Sequence, residues 1–116
     1  NTWNESKAKN GSIANFIRIV TSKFKENEIA YKSLVDYIPN YLFEDMKEKF
    51  LHEIEPDFRR HGTLSNYAHA TIVVLSSGIS SLYLDYFNGK SALTLDEIQE
   101  SSIRIVDNVL TYKSVE

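Results

Sequence analysis

The chain has 116 residues, a formal net charge of −3 and no cysteine. That length suits one domain, the missing thiols exclude disulfides and thiolate metal sites, and a reducing, cytoplasmic setting fits both. Acids and bases are mixed and the one adjacent basic pair is Arg59-Arg60, so the basic footprint of a self-sufficient nucleic-acid binder is lacking. The longest aliphatic run, Ile72 to Leu75, is far below the ~20 residues of a membrane span. No membrane partner is expected, and the opening at Asn1 rather than Met reads as a piece of a longer protein.

Four glycines and two prolines punctuate five segments of helical periodicity, and the fold class expected is an all-α bundle of about five helices forming one domain over residues 1–116. The first segment starts near Ser12 as N-cap and sets Ile13, Phe16, Ile17, Val20 and Phe24 on one face, until Lys25-Glu26-Asn27 ends or bends it. A second, from about Glu28 to Ile38, groups Ala30, Tyr31, Leu34 and Ile38. Pro39 then disfavours helix at the residue before it. From Asn40 a third helix aligns Phe43, Met46, Phe50, Ile54 and Phe58, with Pro56 expected to kink or end it. Arg59-Arg60-His61-Gly62 reads as a helix end.

The fourth segment, about Thr63 to Asn88, is stopped by Asn88-Gly89. Its centre, Ile72-Val73-Val74-Leu75 followed by Ser76-Ser77-Gly78-Ile79-Ser80-Ser81, combines aliphatic residues with small ones that let another helix come close. The fifth begins at a capping box, Thr94-Leu95-Asp96-Glu97. One stripe of that helix is Ile98, Ile105 and Val109, and a second is Ile103, Val106 and Leu110. Two stripes span more arc than one helix needs to seat itself on a core. The short link Gly89 to Leu93 predicts an antiparallel hairpin of the last two helices. Paired with a second hairpin about a two-fold axis, it would close a four-helix bundle, making a homodimer. The interface candidates are Leu75, Ser77, Gly78, Ser81, Leu82, Ile98, Ser102, Ile105 and Val109.

Seven tyrosines and six phenylalanines offer apolar walls with polar handles, the general form of a small-molecule pocket. The candidates are Phe16, Tyr31, Tyr37, Tyr41, Phe43, Phe50, Tyr67 and Tyr83, together with His69, which fits either a pocket wall or a satisfied core position. His52, His61 and His69 have no metal-ligand spacing, and no metal or other cofactor is expected. Ser76, Ser77, Ser80 and Ser81 lack the Gly-x-Ser-x-Gly strand-to-helix setting of a nucleophile and read as packing residues. Glu44-Asp45 and Glu53-x-Glu55 do not face each other on a helix. No set of nucleophile, base and orienting group emerges, so the expectation is a binding domain and not an enzyme.

The stretch from Ala68 onward resembles the C-terminal part of a TetR-family transcription regulator. The likeness is carried by Ala68, Ala70 and Leu75-Ser76-Ser77-Gly78-Ile79, then Tyr83 to Phe87, the polar link with Gly89, and the capped helix Thr94-Leu95-Asp96-Glu97-Ile98. The resemblance implies an effector-binding and dimerisation domain of a repressor. Its ligand would be a small apolar or amphipathic effector held by the earlier helices. DNA would be touched only through an N-terminal helix-turn-helix, which has no counterpart in this chain. The competing expectation is a helical protein-interaction module without a small-molecule ligand, which would be monomeric and expose a large apolar patch.

Overall fold

A computed structural model describes residues 13–60 and 65–115. Every regular element among them is helical: α1 (Ile13–Glu26), α2 (Glu28–Tyr37), α3 (Pro39–Arg60), α4 (Asn66–Phe87) and α5 (Leu95–Val115). The all-helical architecture is as expected. The anticipated cap at Ser12, together with Trp3 and His61-Gly62, lies outside the described residues.

The periodic stripe of α1 becomes core without exception: Ile13, Phe16, Ile17, Val20 and Phe24 are all buried. Asn27 alone separates α1 from α2, its amide bonding back to the Lys23 carbonyl at 3.1 Å. In α2 the buried side chain is Val35, with Tyr31 and Leu34 half-buried, whereas Ala30 and Ile38 face water. The inward stripe of α3 is Leu42, Met46, Phe50, Ile54 and Phe58. It begins one residue before the predicted Phe43, which lies half-buried under the Lys47 ammonium, 5.7 Å from its ring. Pro56 does not end α3, which runs on to Arg60. Proline deprives the carbonyl four residues back of its donor. That residue, His52, is exposed, as is Pro56 itself, so water can serve the carbonyl while Ile54 and Phe58 stay in register.

Helix α4 starts at Asn66, with the Ser65 hydroxyl accepting from the Ala68 amide at 3.1 Å. It ends in a Schellman arrangement: the Gly89 amide donates to the Tyr86 carbonyl at 3.1 Å and the Lys90 amide to the Asp85 carbonyl at 2.9 Å. Gly89 has φ +73°, a left-handed conformation in which a side chain would be strained. The capping box of α5 forms as predicted. Thr94 Oγ1 accepts from the Glu97 amide at 3.1 Å, and Glu97 Oε1 accepts from the Thr94 amide at 2.8 Å.

The helices pair unequally. The largest contact of α4 is with α3 and that of α5 is with α1, while α4 and α5 touch over a smaller area. This explains why α5 keeps so little of its wide apolar arc: Leu95, Ile98, Ile103 and Val106 are all buried inside the protomer. Among the described helices α4 alone is long and apolar enough to cross a membrane by length and composition. Counting aliphatic runs misses this, because serine and glycine interrupt the run without adding charge.

The hydroxyls of Ser80 and Ser102 are buried with no hydrogen-bond partner among the described residues. Ser76, in contrast, donates to the Ile72 carbonyl at 2.8 Å. A buried hydroxyl without a partner costs more than the methyl that could replace it. Ser80→Ala and Ser102→Ala should therefore each hold or raise stability, by up to about 1 kcal/mol. Urea unfolding of the single and double variants checks this; a loss of more than about 1 kcal/mol from either would show that its hydroxyl is satisfied.

Candidate ligand cleft

Helices α1 and α3 make their main contacts elsewhere, with α5 and α4, and touch each other sparingly. A cleft of ≈ 80 Å³ remains between them. From α1 it is lined by Phe16, Val20, Lys23 and Phe24, and from α3 by Leu42, Asp45, Met46, Lys49 and Phe50, with Tyr31 of α2 completing the wall. Each set follows the spacing of one helical face. Edge-to-face aromatic pairs hold the walls. Phe16 meets Phe50 at 5.0 Å between centroids, and Phe24 meets Tyr31 at 4.7 Å.

Behind these rings stands Tyr83 of α4, fully buried. It stacks on Phe50 at 6.5 Å and tilts against Phe24 at 5.1 Å, while Phe87 one turn on packs edge-on to Phe24 at 5.1 Å. The Thr21 hydroxyl donates to the Ile17 carbonyl at 2.9 Å. Its proton being so committed, the 2.7 Å contact between Thr21 Oγ1 and the Tyr83 hydroxyl is a bond donated by Tyr83. Burial pushes the Tyr83 phenol up to about 12. A second tyrosine ties α4 to α2: the Tyr86 hydroxyl donates to Glu28 Oε2 at 2.9 Å. That bond to a carboxylate, with some desolvation and the nearby negative charge, raises its pKa above the ordinary tyrosine value.

Of the predicted pocket residues, Phe16, Tyr31 and Phe50 line the cleft and Tyr83 supports it from behind. Phe43 lies outside it. Tyr37, Tyr41 and Tyr67 are 88%, 56% and 71% exposed, and His69 is exposed as well. The expectation that these four line an internal pocket is corrected. Aromatic character does not fix direction, and each sits on the outward side of its helix. The cleft residues missed by sequence reasoning are Val20, Lys23, Phe24, Leu42, Asp45, Met46 and Lys49. Their signal was the facing stripes of α1 and α3, with one lysine on each flank.

Three interface candidates also need correction. Leu75, Ile98 and Ser102 are 8%, 0% and 0% exposed and belong to the protomer's own core, because α3 and α1 cover those sides of α4 and α5. Gly78 and Ser81 are exposed, Ser77, Leu82 and Val109 half-buried, and Ile105 is 45% exposed. Ser77, Gly78, Ser81 and Leu82 share the outer surface of α4 with Tyr67, Ala70, Val73 and Val74, of which Val74 is 68% exposed, while Ile105 and Val109 lie on α5. Among the described residues no three His, Asp or Glu side chains gather as a metal site would require.

No protein-family model, curated protein or solved structure matches this chain.

The Thr21–Tyr83 bond gives an ordered set of stabilities. Thr21→Val keeps the shape but strands the buried Tyr83 donor and should cost about 1–3 kcal/mol. Tyr83→Phe leaves Thr21 bonded to Ile17 and should cost about 0.5–1.5 kcal/mol. Adding Thr21→Val to Tyr83→Phe should then cost little more. Denaturant titrations of the three variants check the order.

Because the folded phenol titrates near 12 and an unfolded tyrosine near 10, the unfolded chain loses its proton first. This contribution is therefore complete below about pH 10 and drains away as pH climbs to about 12. The alkaline fall in stability should be shallower in Tyr83→Phe.

Proposed function

We propose that this domain is the effector-sensing and dimerising part of a TetR-type transcription repressor, acting on DNA through a helix-turn-helix domain carried outside this chain. The observation that carries the reading is the outer face of α4. From Asn66 to Leu84 the helix contains no Asp, Glu, Lys or Arg. Its exposed side presents Tyr67, Ala70, Val74, Gly78 and Ser81 in helical succession. Gly78 is the central clue. Its φ is not positive, and a Cβ placed there would meet nothing within 4 Å. Neither backbone conformation nor packing inside the protomer calls for glycine, which costs a helix interior about 1 kcal/mol relative to alanine. A closely approaching second helix supplies the reason.

A face without formal charge can meet its own copy about a two-fold axis with no like-charge repulsion, and two-fold dimers are the commonest oligomers. In the proposed dimer the outer parts of α4 and α5, including Ser77, Ser81, Leu82, Ile105 and Val109, close a four-helix bundle with those of the partner. The cleft between α1 and α3 serves as the effector site. Tyr83 gives the two sites a mechanical link, since it lies on α4 and packs on the cleft rings Phe24 and Phe50. A ligand that favours one placement of those rings biases the placement of α4 and thereby the spacing of the DNA-reading domains. One that binds both placements equally shifts nothing.

A second reading draws on Ile29, 85% exposed, with Tyr37 and Tyr41. It is a helical module that docks another protein through α2 and the start of α3, without a small ligand.

Solution mass separates the two. Sedimentation should return about twice the 13.3 kDa of the chain, and Val74→Glu should shift it to monomer while leaving the helical circular-dichroism signal intact. A wild-type monomer at high concentration overturns the repressor reading in favour of the docking module.

A further inference from the structure

The polar groups at the cleft are few, and their pairing decides what the cleft can hold. Lys23 on α1 and Lys49 on α3 flank an otherwise apolar interior, with Asp45 beside Lys49. Asp45 is already engaged, 2.8 Å from the Lys49 ammonium. Of the two lysines in the last turn of α1, Lys25 reaches across to Asp96 of α5. Lys23 lines the cleft and makes no ion pair among the described residues. One positive charge is therefore left over at the mouth of an apolar slot.

We propose that this slot binds a small monocarboxylic acid as its carboxylate. A single ring or short chain packs against Phe16, Val20 and Met46, and the carboxylate sits on the Lys23 ammonium. The inference rests on the reading of the cleft as the effector site and adds the ligand's chemical class. Volume limits the body: ≈ 80 Å³ is about half the ~150 Å³ of an engineered apolar cavity that takes benzene. Some growth is available, because the wall includes Met46, the chain's single methionine, whose unbranched side chain yields readily to a ligand. The charge limits the head group. A cationic ligand would meet two ammonium groups. A phosphate dianion would call for more donors than one lysine, such as an arginine fork or a helix N-terminus, and the cleft lining contains neither. A single carboxylate matches a single spare ammonium.

The lone methionine also provides the readout, since methyl-labelled protein gives one Met resonance and Met46 is part of the cleft wall. Benzoate and hexanoate would be titrated against benzamide and hexanamide at low salt, with binding followed at Met46 and by calorimetry. Saturable shifts with at least one carboxylate about tenfold tighter than its amide are expected. Lys23→Gln should bring that carboxylate to the level of its amide and leave the amide unchanged. Equal affinity for acid and amide, or a preference that survives Lys23→Gln, overturns the carboxylate inference and leaves the effector site in place. No shift at Met46 with any of the four also overturns it. The dimer is measured without any probe, so either failure is distinguishable from failure of the repressor reading.

Discussion

Helix α4 is apolar on the side that meets its neighbours and uncharged on the opposite side, and the packing of the protomer is arranged around covering the first. One side carries Ile72, Leu75, Ile79, Tyr83 and Phe87, all buried, and α3 supplies most of their cover. The other side has no formal charge to hold it in water between Asn66 and Leu84. A long apolar helix with a serine-glycine centre is mediocre by propensity, so its stability has to come from what packs against it. Its ends are fixed by local chemistry, the Ser65 cap and the Schellman turn at Gly89. These place the inner and outer faces in defined directions before any partner is considered.

The cleft follows from the same division of contacts. With α3 committed to α4 and α1 committed to α5, the facing sides of α1 and α3 cannot both close. The gap is bridged by rings instead of being filled, and Phe24 is the meeting point. It touches Tyr31 of α2 as well as Tyr83 and Phe87 of α4. The Tyr83–Thr21 hydrogen bond then fastens α4 to α1 behind that cluster. Movement of the cleft rings is thus resisted, and transmitted, by a buried polar bond whose loss would leave a stranded hydroxyl.

Much of this was legible in the sequence, in proportion to how local the physics was. The α1 stripe, the Thr94–Glu97 box and the Asn88-Gly89 stop depend on residues within a few positions of each other, and each is found where expected. The α3 stripe is found as expected at Met46, Phe50, Ile54 and Phe58 and differs only at its first position, because Phe43 is as apolar as Leu42 and only packing decides between them. Pro56 misled for a related reason: the cost of a proline depends on whether the freed carbonyl reaches water. Least legible was which side of α4 faces inward. Apolar and small residues surround the helix, so the pattern could not separate Leu75, which is core, from Val74, which is not. Thr21 and Tyr83 are 62 residues apart, and nothing local to either announces the bond.

Gly78 and the buried serines mark two uses of small side chains on one helix. Ser76 and Ser80 face inward, where a larger residue would push α4 away from its neighbours, and Ser76 spends its hydroxyl on its own helix. Gly78 faces outward into open space, where a larger residue would disturb nothing in the protomer. Inner smallness is explained by the fold and outer smallness is not. In the proposed dimer the outer residues set how near two copies of α4 approach, while Tyr83 on the inner side rests on the rings of the cleft. A rigid helix cannot move one face without the other. In that proposed dimer, a ligand acting on those rings would need no longer path to the interface than the width of α4.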